Sequence, residues 1–190
     1  LIFATHNSNK VKEVRNQLMG TYEILGLNDI GFHEEIIEDK KTIFENSIAK
    51  VRFVKESTGY DCFADDTGLE VNALYGEPGV LSKRFAGPNA SSDDNIDKLL
   101  YMLNGIKDRS AQFKTVISLS NNEEIKTFLG ICKGNIAFKR KGHFGFGYDP
   151  IFIPENKNIS LGQMSLEEKN KIAHRAKAVN KLICYLTNLY

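Results

Sequence analysis

Two apolar, β-prone runs, Phe113 to Leu119 and Ile125 to Ile131, straddle Asn121-Asn122. A short Asn-rich link between such runs is a hairpin turn signal, so the middle of the chain is expected to pair with itself antiparallel. The first hundred residues read differently. Leu1 to Ala4 fits a short buried strand, and the Val11, Val14, Leu18 spacing after it fits the inward stripe of a helix. Thr42-x-x-Glu45 is a capping box that starts a second helix, expected to bury Phe44, Ile48, Val51 and Val54. Asp61 to Ala64 reads as a strand, and Ser91-x-x-Asp94 caps a helix carrying Ile96, Leu99, Leu100 and Leu103 inward. After the hairpin, Asn135 to Phe138 adds a strand. Ser165-x-x-Glu168 then opens a helical region with the stripe Ile172, Ala176, Val179, Ile183 and Leu186. Alternating strands and helices followed by antiparallel pairs predict an α/β class with a mixed sheet.

With no repeat and with Pro78, Pro88, Pro150 and Pro154 expected in loops, residues 1–190 read as one domain. Lys plus Arg number 25 against 24 Asp plus Glu, a net charge of +1, so no global field recruits a nucleic acid polymer or an anionic membrane. A bound polyanion must therefore meet a local basic site. No apolar run approaches a membrane span, and no basic-then-apolar leader is expected. Cys62, Cys132 and Cys184 are far apart among apolar neighbours, which predicts reduced core thiols and a cytoplasmic setting.

Five segments can carry chemistry. Thr5-His6-Asn7-Ser8-Asn9-Lys10 links a strand to a helix, and a helix N-terminus with a lysine attracts phosphate. An Asn or Ser cap beside a solvated lysine fits the segment equally. Asp65-Asp66-Thr67-Gly68 sets two carboxylates at a strand end, where neighbours point to opposite faces unless the chain turns, and Gly68 allows a turn. Carboxylates suit Mg²⁺, though an exposed Asx turn is the plain alternative. Glu38 sits in an acidic run whose default is a solvated surface. Gly142 to Pro150 mixes glycines with three aromatic rings, which fits a stacked nucleobase or a structural hairpin. Lys169, His174 and Arg175 would diverge on one unbroken helix, Arg175 lying roughly 240° round from Lys169. If they share a site, the helix must break near Ala173. Spacings for a P-loop, a dinucleotide fingerprint, a zinc site or a nucleophile with its base are lacking.

Taken together, Thr5-His6-Asn7-x-x-Lys10, Glu38 ahead of Phe44-Glu45-Asn46, Ala64-Asp65-Asp66-Thr67-Gly68-Leu69, Gly76-x-Pro78-Gly79-x-x-Ser82-x-Arg84-Phe85, Phe146-Gly147-Tyr148-Asp149-Pro150 and His174-Arg175 resemble the inosine triphosphate pyrophosphatase family. The resemblance implies an elongated mixed β-sheet flanked by helices, two lobes with a central cleft, and a homodimer. It also implies Mg²⁺-dependent hydrolysis of ITP, dITP or XTP to the monophosphate and pyrophosphate. Carried over by position, Thr5, Asn7 and Lys10 hold the triphosphate near Lys50, with His6, Ser8 and Asn9 in the same turn. Glu38 and Asp66 bind Mg²⁺, Asp66 orients or deprotonates the attacking water, and Asp65 and Lys10 assist. Thr67, Phe146, Gly147, Tyr148, Asp149, Lys169, His174 and Arg175 form the nucleoside pocket, Phe146 stacking on the base and Arg175 donating to its 6-keto group. Two positions depart from the pattern: His6 where a small residue is common, and Ala173 where Ser often precedes His-Arg. Other readings are a pyrophosphatase of modified pyrimidine triphosphates and a non-catalytic nucleotide sensor. Balanced charge disfavours an RNA-binding module.

Overall fold

The computed structural model describes residues 1–121 and 124–188, so Asn122 of the expected turn lies outside the described residues. In chain order the elements are β1 (Ile2–Phe3), α1 (Ser8–Gln17), β2 (Leu25–Gly26), α2 (Ile43–Thr58), β3 (Cys62–Val71) and β4 (Pro78–Gly79). They continue with α3 (Ser92–Met102), β5 (Ser110–Asn121), β6 (Glu124–Ile136), β7 (Phe152–Pro154), α4 (Leu166–Asn170) and α5 (His174–Thr187). One mixed sheet runs β2-β1-β3-β5-β6-β7, with β4 added to β3. β1 lies parallel to β2 and to β3, as helical crossovers permit, while β3, β5, β6 and β7 pair antiparallel.

Several local expectations yield to the sheet. β3 does not end at Ala64 or turn at Gly68. β5 pairs with it residue by residue, Asp65 opposite Ile117 and Asp66 opposite Val116. Gly68 instead admits a close backbone approach, since a Cβ there would lie 2.7 Å from the Gly79 carbonyl oxygen. The strand expected at Asn135 to Phe138 is the tail of β6, which ends at Ile136. Pro78 and Pro154 fall in short strands and Pro150 in a 3₁₀ turn, leaving Pro88 in a turn.

The capping boxes hold. Thr42 Oγ1 accepts from the Glu45 N–H at 3.1 Å while Glu45 accepts from the Thr42 N–H at 3.1 Å, and Ser91/Asp94 and Ser165/Glu168 repeat the exchange. Phe44, however, is 48% exposed, and Ile48 is half-buried. The first turns of α2 bury Asn46, Ser47 and Lys50 instead, because that face meets polar groups on the sheet rather than the core. Leu100 is likewise half-buried, and Cys184 is exposed while Cys62 and Cys132 are buried; all three are free thiols.

Two lobes follow from how β3 and β5 are loaded. Leu69 and Val71 with Ala111 and Phe113 belong to a core built with α3 and the Tyr148–Met164 region. Phe63 with Ile117 and Leu119 packs instead on α1 and α5, and Cys62 and Ala64 pack on α2. Between the cores the strands carry Asp65, Asp66, Thr67 and Thr115, and there the cleft forms. Among the described residues no helix is long and apolar enough to cross a membrane.

The final helical region breaks, as three basic residues sharing one site would require. α4 ends at Asn170, and Ala173 takes an extended conformation (φ −68°, ψ 156°) before α5 begins. Gly130 of β6 sets the seat of α5: a Cβ there would meet the His174 carbonyl and the Ala178 backbone. Gly130→Ala is therefore expected to destabilise the protein by about 1–3 kcal/mol in urea denaturation, the range for overpacking, and to lower activity by displacing His174 and Arg175. A variant matching the parent on both counts would show that α5 seats elsewhere.

Candidate active site

β1 is only two residues long. Past Ala4, whose N–H still reaches the Phe63 carbonyl at 2.7 Å, the chain leaves the sheet to start α1. The next residues of β3, Asp65 to Thr67, thus lie beyond the carboxyl end of β1, the customary position of ligands in sheets with parallel strands. A cavity of about 590 Å³ opens there, between the two lobes.

Alternation along β3 sends its two carboxylates to opposite faces. Asp65 faces α1 and α5, where Lys10 Nζ donates to Oδ1 at 2.7 Å and Arg175 Nε to Oδ2 at 2.9 Å. Burial alone would raise its pKa, but these two cations prevail and hold Asp65 well below the ordinary aspartate range. Asp66 faces α2 and receives Lys50 Nζ at 3.1 Å and Asn46 Nδ2 at 3.1 Å. There burial prevails over Lys50, and nearby Glu38 adds repulsion, so the Asp66 pKa is raised. Lys50 also meets Glu38 Oε1 at 2.5 Å and donates to the Asp65 carbonyl at 3.0 Å. Burial opposes its charge, yet Asp66 and Glu38 raise its pKa. One ammonium thus bridges the two carboxylates.

At the other end, Arg175 pairs with Glu13 and donates Nη2 to Thr67 Oγ1 at 3.2 Å. Lys169 Nζ meets Glu13 Oε1 at 2.6 Å and Asp149 Oδ2 at 2.5 Å. Against burial, Arg175 and Lys169 lower the Glu13 pKa. Both cations face the Phe146 ring, Lys169 Nζ at 4.9 Å and Arg175 Cζ at 5.6 Å from its centroid. His174 bonds Thr115 through Nδ1 and stacks on Phe113 at 4.6 Å; burial and the adjacent Arg175 push its pKa well below the ordinary value, so it is neutral.

Residues 1–185 match the family model described as the Ham1 family. The chain belongs to the Ham1 family. It is 50% identical over 188 residues to a dITP/XTP pyrophosphatase of Flavobacterium psychrophilum, covering 99% of both sequences. It is 43% identical over 185 residues to the dITP/XTP pyrophosphatase of Bacillus subtilis, covering 95% of this chain and 93% of that one. The Ham1 protein structure from Staphylococcus aureus superposes with a TM-score of 0.89 at 38% identity, covering 100% of this chain and 98% of the other. The fold and the family expected from the motifs are both borne out.

Within this Ham1 fold the cavity is lined by Thr5, His6, Asn7, Asn9, Lys10, Glu38, Lys50, Asp66 and Thr67. Phe146, Gly147, Tyr148, Asp149, Lys169, His174 and Arg175 complete the predicted set that lines it. Ser8 and Asp65 are not among the lining residues: Ser8 is exposed elsewhere, and Asp65 is sealed behind Lys10 and Arg175. At the helix N-terminus the Asn-cap alternative holds in part: Asn7 Oδ1 accepts from the N–H groups of Asn9 (3.0 Å) and Lys10 (3.2 Å), but Lys10 is paired with Asp65 rather than solvated. Tyr148 is a strut, its hydroxyl donating to the Ser82 carbonyl at 2.9 Å. Two participants escaped the sequence reading, Glu13 and Thr115, while Asn46 stood in a motif without a role. Glu13 lies one helical turn after Lys10 and beside the buried Val14, which was the one signal that a charge there faces inward.

Proposed function

We propose that this chain hydrolyses non-standard purine nucleoside triphosphates, ITP, dITP and XTP, to the monophosphate and pyrophosphate, with Mg²⁺ at Glu38 and Asp66. The observation that carries this function is the single cavity joining an acidic pair and two lysines at one end to Phe146, Lys169 and Arg175 at the other. Two hard carboxylates converging on one ammonium suit a divalent ion that takes one or two protein carboxylates and leaves its remaining positions to water and phosphate. When bound, the ion neutralises phosphate charge and polarises the phosphorus under attack.

Lys10 and Lys50, with Thr5 and Asn7, supply the remaining charge and hydrogen bonds for the triphosphate. Asp66 is the base, and in the metal-free chain burial raises its pKa above that of an exposed aspartate. It takes a proton from the water attacking the α-phosphorus, and pyrophosphate leaves. Asp65 acts behind the surface, holding Lys10 and Arg175 in place.

Base selection follows from unused donors. Arg175 has five N–H groups and directs three to Asp65, Glu13 and Thr67; Lys169 has three and directs two to Glu13 and Asp149. The remainder, beside Phe146, suit a 6-keto acceptor on a stacked hypoxanthine or xanthine and oppose the amino group of adenine. Incubating the protein with ITP, dITP, XTP and ATP, with Mg²⁺ or with EDTA, tests this. Pyrophosphate release from the first three, little from ATP and none in EDTA is expected; orthophosphate as product or equal use of ATP would refute it. The free thiols fit a reducing cytoplasm. A homodimer belongs to this proposal on family grounds, and light scattering at micromolar concentration decides it.

A further inference from the structure

The structure assigns His6 a positioning role: it ties the turn after β1 to the irregular segment 32–41 and so fixes where Glu38 presents its carboxylate. This rests on Glu38 as a metal ligand. His6 stands between two residues of the phosphate-facing turn, yet its ring nitrogens engage a different part of the chain. Nε2 lies 2.8 Å from the Glu34 carbonyl, which can only accept, so Nε2 carries the proton. Nδ1 lies 3.1 Å from Asn28 Oδ1, and with the proton on Nε2 this contact is a hydrogen bond once the amide is turned so that its NH₂ donates; the ring is nearly parallel to Phe32, with centroids 6.4 Å apart.

The segment needs such a tie. Residues 32–39 adopt no helix or strand, so no ladder fixes their backbone. Two side chains from outside hold it by its carbonyls, His6 at Glu34 and Arg84 Nη2 at Glu38, the latter at 3.0 Å. Lys40 N–H, just beyond, donates to Asn46 Oδ1 at 3.0 Å, and Asn46 also holds Asp66. Both carboxylates of the acidic pair are thus fastened before a ligand arrives, which lowers the ordering entropy that binding must overcome. A small residue at position 6 lacks this connection. Here the turn that faces the phosphates and the segment that carries Glu38 move as one piece.

The test compares His6→Ala and His6→Gln with the parent, free of substrate. Amide hydrogen exchange across residues 33–39 is expected to quicken about ten-fold in His6→Ala, and Mn²⁺ affinity, read directly from the free-ion signal, to fall about five-fold, the size of one lost hydrogen bond. His6→Gln, whose amide N–H can reach the Glu34 carbonyl, recovers part of both. In turnover, the metal concentration for half-maximal rate rises. Parent-like exchange in His6→Ala, or faster exchange with unchanged Mn²⁺ affinity, would overturn the role. A parent chain that binds no Mn²⁺ would remove Glu38 from the metal site instead, a separate failure, because the exchange comparison reads the tie without metal.

Discussion

Asp66→Asn lowers kcat for XTP by at least about a thousand-fold, since it removes both the base and half of the acidic pair. The amide keeps the size of the carboxylate and its oxygen can still accept from Lys50, losing only the hydrogen bond from Asn46, about 1 kcal/mol, so the fold survives. The linkage sign supports that. An aspartate whose folded pKa is raised contributes stability below its unfolded pKa, near 3.9, and that contribution is lost as pH rises through the folded value. A permanently neutral side chain therefore costs the metal-free fold little at pH 7, and melting temperatures close to the parent are expected. Turnover within ten-fold of the parent in a folded Asp66→Asn protein would exclude Asp66 as the base.

How much of this was legible in the sequence depended on the range of the forces involved. Capping boxes are local, and Thr42, Ser91 and Ser165 start their helices where the spacing put them. Strand ends are set by the neighbour: nothing in Asp65-Asp66-Thr67-Gly68 announces a strand, and only the ladder to β5 carries β3 through it. Phe44 shows the converse, an apolar residue at a core-like spacing left exposed because α2 turns Asn46 and Lys50 toward the sheet. The site followed the same division. Most of the site residues named from the motifs line one cavity, Asp65 and Ser8 excepted, and the break at Ala173 followed from the angular mismatch of Lys169 and Arg175. Glu13 did not come out, because a glutamate on a surface-like helix gains meaning only once α4 and α5 bring Lys169 and Arg175 against it, more than 150 residues along the chain. His6 lines the cavity as expected, but its tie to a distant segment was not legible, for a related reason. Its neighbours in sequence face phosphate, whereas its partners in space, Asn28 and Glu34, come from a segment with no pattern of its own.

Arg175→Ala is expected to produce the largest loss of stability, about 3–5 kcal/mol, the range for breaking a buried ion pair by removing one partner. Arg175 is 3% exposed and spans Asp65, Glu13 and Thr67, so truncation leaves two buried carboxylates short of a cation. Asp65 keeps Lys10 and Glu13 keeps Lys169, which places the value toward the lower end. Arg175→Lys recovers little, because one ammonium cannot fork to three acceptors. Adding Glu13→Gln to Arg175→Ala should recover more, since it removes one of the unbalanced charges while Lys169 retains Asp149. Urea denaturation across pH separates charge from packing. In the parent, Asp65 and Glu13 both have depressed folded pKa values, so their contribution is present above the unfolded carboxylate range and is lost as pH falls through the folded values. The stability gap between parent and Arg175→Ala should therefore narrow steadily as pH falls below about 4. A gap that stays constant with pH would mean that Arg175 stabilises by filling space, and the buried charge network would then have no part in holding the base pocket together.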